Sequence, residues 1–158
     1  MSPGASRDSP EIVIRSTAEA IRVSFDLIVF DPASAPRSRK AFLEWDAVNR
    51  RGDSELPPSD DPKSLTPPLQ AWFSEMVKTF PPLNGPLATG DVDDPKVTDY
   101  GLNRSCVYAC FGWSQANAAF EHTVRLAEKH RVGFFNVSSD DSDVWLPGRG
   151  GKLEKAPD

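Results

Sequence analysis

The stretch from Ser105 to Val137 most constrains what this chain can fold into. Ser105 to Trp113 is apolar on both alternating faces, with Val107, Ala109, Phe111 and Trp113 on one and Cys106, Tyr108 and Cys110 on the other. A strand apolar on both faces belongs inside a sheet that is packed on each side. Ser114 then offers a helix N-cap. Ala116, Ala119, Phe120, Thr123 and Ala127 repeat at helical spacing to about His130, leaving Glu121, Arg125, Glu128 and Lys129 on the wet side. Val132 to Val137 reads as the next strand. A strand, an amphipathic helix and a strand in succession predict a right-handed βαβ crossover with parallel strands, and Ser105–Trp113 as the central strand.

The rest of the chain supplies further elements around this unit. Arg22 to Phe30 alternates and then turns apolar on both faces, which predicts a strand stopped by Asp31-Pro32. Pro36 to Asn49 predicts a helix burying Ala41, Phe42, Trp45 and Val48, with Gly52 as its terminator. Thr66 to Phe80 is the most regular helix: Thr66 suits the N-cap, Pro67 the first turn, and Leu69, Trp72, Phe73, Met76, Val77 and Phe80 the buried stripe. Leu83 to Tyr100 is a connection long enough to be functional or disordered. Ser138 to Asp143 reads as a turn, with Val144 to Leu146 returning as a strand stopped by Pro147.

The expected architecture is α+β in the order β-α-α-β-α-β-β: two layers, a mixed sheet of about four strands, and three helices mainly on one face. Residues 22–147 form the single domain. Residues 1–21 are expected to be a partly disordered N-terminal extension, with a short strand at Ile12–Ile14 and a helical turn at Thr17–Ile21, and residues 148–158 a flexible tail.

The 158 residues suffice for a core without disulfides or metal. A net charge of −5 lacks the basic footprint of a nucleic-acid binder and suits a basic protein partner. No apolar run approaches the roughly 20 residues that span a bilayer, and Met1–Pro10 lacks a signal-peptide pattern. Cys106 and Cys110 lie roughly 13 Å apart along one strand, too far for a disulfide, which points to reduced thiols and a cytoplasmic setting. Phosphate-binding glycine loops, GxSxG, CxxC and HExxH motifs do not occur. His122 and His130 sit about 12 Å apart on one helix, so one ion cannot bridge them. No catalytic residue, metal or cofactor is assigned.

Two acidic clusters stand out, Asp91, Asp93 and Asp94 in the long connection and Asp140, Asp141 and Asp143 in the last turn. Alternating carboxylates can ligate a hard cation, but the EF-hand pattern lacks its glycine and terminal glutamate. Asp in turns more often bonds its own backbone; otherwise these loops form an acidic docking face, with Trp145 as an interface anchor where it does not simply pack into the core from an edge strand. A different chemistry is a cleft near Asp26, Asp99 and Tyr100, since a carboxylate within a strand must be paired, with Arg104 for instance, or carry a raised pKa.

The runs Ser24-Phe25-Asp26-Leu27, Val29-Phe30-Asp31-Pro32, Arg37, Phe42-Leu43-Glu44-Trp45 and Ala71-Trp72-Phe73 form one half of a recurring pattern. Phe80-Pro81-Pro82-Leu83-Asn84-Gly85-Pro86, Val97-Thr98-Asp99-Tyr100, Trp113-Ser114-Gln115-Ala116 and Lys129-His130-Arg131-Val132-Gly133-Phe134-Phe135 form the other. Together they resemble a family of small uncharacterised bacterial cytosolic proteins, loosely like toxin-immunity proteins. The resemblance covers 23–147 and implies a bacterial cytosolic setting, with residues 1–22 as an extension. It carries over no catalytic residue. The expected function is a non-enzymatic protein-binding module, in its narrower form a cytoplasmic immunity protein that neutralises a toxin through acidic loops. The alternatives are a small enzyme or ligand-binding domain using the Asp26/Asp99/Tyr100 cleft, and a homo-oligomer pairing through the last hairpin.

Overall fold

The structure, a computed structural model, describes residues 24–50 and 59–158. The predicted N-terminal extension, with its strand and helical turn, and Gly52 lie outside the described residues.

The first strand, β1, is Phe25–Phe30, and helix α1 is Arg39–Arg50. Helix α2 is Pro67–Thr79, with prolines in its first turn, and Pro81-Pro82 follows it. Thr66 takes the N-cap position, but its side chain makes no capping hydrogen bond. A hairpin follows, β2 at Asp99–Asn103 and β3 at Cys106–Phe111. Helix α3 is Ala116–His130, entered through a 3-10 turn at Trp113–Gln115, so Gln115 and not Ser114 stands at its N-cap. It ends where Arg131 turns left-handed (φ 56°) and the Val132 N–H donates to the Ala127 carbonyl at 3.0 Å. Strands β4 (Gly133–Asn136), β5 (Val144–Pro147) and β6 (Leu153–Lys155) complete the chain.

The fold is α+β, but among the described residues the sheet has six strands in the order β2-β3-β1-β4-β5-β6, where about four were expected. Every pairing between these strands is antiparallel, so the expected mixed sheet is corrected to an antiparallel one. Strands β3 and β4 do run the same way, because each pairs antiparallel with β1, but β1 lies between them. The predicted crossover is therefore split. Both β1 and β3 are apolar on two faces, and that pattern places each inside the sheet without saying which is inner. The two unexpected strands are weak in sequence: β2 offers only Tyr100 and Leu102 on one face, and β6 is three residues in a polar tail. That tail, expected to be loose, is tied down at the Gly148 N–H to Lys152 carbonyl (2.8 Å), Ala156 N–H to Val144 carbonyl (2.7 Å) and Arg39 N–H to Pro157 carbonyl (2.6 Å) bonds.

Alternation along β1 divides the core. Phe25, Leu27 and Val29 meet Leu69, Trp72, Phe73 and Met76 of α2 and Ala119, Leu126 and Ala127 of α3. Ile28 and Phe30 face the opposite way, onto Phe42 of α1 with Phe135, Val144 and Leu146. Thus α2 and α3 lie on one face of the sheet and α1 lies on the other. Among the described residues no helix is long and apolar enough to cross a membrane.

Helices α2 and α3 are also clamped by charge. Glu75 accepts from Lys129 Nζ at 2.9 Å and pairs with His130 Nε2. The Lys129 hydrogen bond, then the His130 one, hold the Glu75 carboxyl below the usual carboxylate range. A depressed folded-state pKa contributes stability above the ordinary carboxylate range and loses it as pH falls through the folded pKa. The thermal midpoint of the native chain is therefore expected to exceed that of Glu75→Gln at neutral pH, and the gap to close on acidification; a gap that widens towards low pH contradicts the clamp.

Candidate functional site

A groove of about 660 Å³ runs between α3 and the far half of the sheet. Its floor is a cross-strand row on β4, β5 and β6, Phe134 beside Trp145 beside Lys155. One wall is Phe120, Val124 and Glu128, three residues at i, i+4 and i+8 on α3. The other is Asn136, Ser139, Asp141 and Asp143, and Leu153 closes one end. The groove exists because α3 buries a neighbouring stripe of small residues, Ala116, Ala119, Thr123 and Ala127. That stripe lets the helix sit close to the sheet and leaves Phe120 at the margin, edge-on to Phe134 with ring centres 5.5 Å apart.

The lining combines apolar surface with three carboxylates, Glu128, Asp141 and Asp143, and the Lys155 ammonium. Glu128 accepts the Leu153 N–H at 3.0 Å and pairs with Lys152 at 3.6 Å. That N–H points away from β5, so Glu128 also blunts the exposed sheet edge. Lys155 Nζ lies 3.4 Å from Asp143 Oδ2 and 5.6 Å from the centre of the Trp145 ring. The acidic loop is braced from α1, where Arg39 Nε donates to the Ser142 carbonyl at 2.9 Å. An apolar trough with an acidic rim suits an apolar body carrying cationic groups.

Three of the predicted partner-binding residues, Asp141, Asp143 and Trp145, therefore meet in one groove, and Asp140 is exposed beside them. The other acidic cluster stands elsewhere. Asp91 Oδ1 accepts the Asp93 N–H at 3.2 Å and Asp94 Oδ1 the Lys96 N–H at 2.9 Å, so these carboxylates shape their own turns. Their loop is closed at its neck, where Leu83 N–H donates to the Thr98 carbonyl and Thr98 N–H to the Pro81 carbonyl, each at 2.9 Å. Among the described residues no group of three or more His, Cys, Asp or Glu side chains is placed to hold a metal ion.

The predicted cleft divides between the two faces of the sheet. Asp26 and Asp99 do come together, as neighbours on either side of Cys110 across β1, β3 and β2. Asp26 accepts from Ser24 Oγ at 2.6 Å rather than from Arg104, which sits in the turn at the other end of β3. Burial, then the Asp26 charge, pushes the Cys110 thiol up to about 12, so at neutral pH it is a protonated thiol and a poor nucleophile. Tyr100 lies on the opposite face, buried, with its hydroxyl donating to the Phe80 carbonyl at 2.8 Å. Burial raises its phenol far above the usual value, so it carries no charge that chemistry could use. His122 is held below its ordinary value by burial and then by Arg125, while His130 is engaged with Glu75.

Comparison of the chain with models of known protein families, with curated proteins and with solved structures finds no significant match.

Sequence reasoning missed Phe120, Val124, Glu128, Phe134, Leu153 and Lys155 as groove residues. One signal was present: Phe120, Val124 and Glu128 form a second stripe, one step round the helix from the small residues. Lys155 and Leu153 carried none, since their places depend on β6.

Proposed function

We propose that this chain is a protein-binding module that takes a lysine-rich, apolar segment of a partner protein into the groove between α3 and strands β4–β6. The observation that carries the reading is the lining, in which Phe120, Phe134 and Trp145 sit under a rim of Glu128, Asp141 and Asp143. Desolvated aromatic residues supply the affinity of such sites, and surrounding charge supplies the register and the encounter rate. In its narrowest form the partner is a toxin domain with a basic face and the chain is its cytoplasmic inhibitor.

The test is calorimetric titration with a synthetic peptide of alternating Lys and Leu, against the same peptide with Glu for Lys. The Lys peptide is expected to bind and the Glu peptide to fail. Trp145→Ala, and Asp141→Asn with Asp143→Asn, are each expected to weaken binding by about tenfold or more, the effect of removing a central contact. Asp91→Asn with Asp93→Asn and Asp94→Asn removes as much charge or more outside the groove, and is expected to change affinity by less than about threefold. Equal losses from both sets of substitutions would reduce the interaction to net charge and remove the groove from it.

A further inference from the structure

Lys155 sits in this groove as a ligand would. Its ammonium lies 5.6 Å from the centre of an aromatic ring, Trp145, and 3.4 Å from a carboxylate oxygen, Asp143 Oδ2. These are the two components with which proteins recognise an alkylammonium group: the negative face of an indole and a fixed anion. The third contributor is position, since Trp145 and Lys155 are direct partners on β5 and β6 and their side chains share the floor with Phe134.

The hold on Lys155 is weak. Its side chain is 60% exposed, while the Asp143 side chain is 28% exposed, so the pair is screened by water on the lysine side. Its strand is the last of the sheet and only three residues long. The receiving groups are better fixed. Trp145 belongs to a strand paired on both sides, and Arg39 braces the loop that leads to Asp143.

We propose that Trp145 and Asp143 form a binding site for the lysine ammonium of a partner protein, and that Lys155 is an internal stand-in which the partner's lysine displaces. This deepens the docking reading above and rests on it. An incoming lysine exchanges one ammonium for another, so the polar cost of entry is small. Its aliphatic stem would lie along Phe120, Val124 and Leu153, the apolar lining that Lys155 reaches from the edge. Displaced Lys155 needs only to swing to solvent.

Two measurements on the full chain test the proposal. In the free protein the Lys155 ε-methylene protons are expected upfield of their ordinary position, shielded by the Trp145 ring. Adding the Lys/Leu peptide is expected to return them towards it, and the same peptide with every lysine acetylated to leave them in place. Lys155→Met keeps the stem and removes the competitor, and is expected to bind the Lys/Leu peptide about three- to tenfold more tightly. If the peptide binds with the Asp143 and Trp145 dependence given above, but Lys155 resonances stay fixed and Lys155→Met binds no better, the displacement is overturned and the docking reading stands. Equal binding of the acetylated peptide overturns the ammonium site. If neither the native chain nor Lys155→Met binds the Lys/Leu peptide, both readings fall.

Discussion

Trp72→Ala is expected to lower the free energy of unfolding by about 3–5 kcal/mol, which for a chain of this size moves the thermal midpoint down by roughly 6–20 °C. Trp72 is fully buried and is the largest such side chain among the described residues. It projects from α2 into the cluster formed with the sheet and α3, and its indole N–H donates to the Thr123 carbonyl of α3 at 3.3 Å. Truncation removes apolar area and leaves a cavity that only partly closes, because Phe73, Met76 and Leu69 are held by their own helix. Thr123 lies inside α3, where its carbonyl has a helical partner in reach, so the loss is one of packing more than of hydrogen bonding. Trp72→Phe is therefore expected to recover more than half of the loss. Chemical denaturation of the three proteins decides it. A loss below about 1 kcal/mol for the alanine variant is incompatible with α2 packed against α3 through this ring.

Much of this core was legible in the chain. The stripe from Leu69 to Phe80 predicted a helix and its buried face, and Leu69, Trp72, Phe73, Met76 and Phe80 are all buried. The two apolar faces of the Cys106 segment predicted an interior strand, and its side chains divide between the two clusters as alternation requires. What failed was neighbour choice. Strand pairing is decided by contacts across the sheet, and residues 25–30 carry no mark saying that they insert between two later strands. Local patterning suggested that β3 and β4 would pair because they are consecutive around a helix.

Short edge strands were illegible for a different reason. With three residues, Leu153–Lys155 has too few side chains to show a period, and its place comes from backbone bonds to β5 and from Glu128. The groove inherited that blindness. Its acidic and tryptophan components could be picked out by residue type, as Asp141, Asp143 and Trp145 were. Its full outline could not, because it needs α3 and β6 brought together over β5. Asp91, Asp93 and Asp94 have the same composition as Asp140, Asp141 and Asp143 and different surroundings, which is why composition alone joined two clusters that the fold separates.

The register of β4 is the hinge of both fold and groove, and Gly133→Ala tests it. Gly133 is the partner of Phe30 across β1 and β4, and a methyl group placed on it would lie 2.2 Å from the Phe30 ring. The ring has little room to retreat: Phe30 is fully buried and its centre is 4.5 Å from that of Phe42. Gly133→Ala is expected to destabilise by about 3 kcal/mol, at the upper end for overpacking, since either the ring or the strand must move. Phe30→Leu removes the atoms that clash. The double variant is expected to be more stable than the sum of the two single effects predicts by at least about 1 kcal/mol. Additive losses would mean that Phe30 does not lie over Gly133. A slip of one residue in β4 would then exchange the faces of Phe134 and Phe135. Phe134 would leave the groove floor for the α1 side, and Trp145 would lose the neighbour that positions it. A stability cycle at a glycine remote from Asp143 thus reports on whether the proposed ammonium site has its floor.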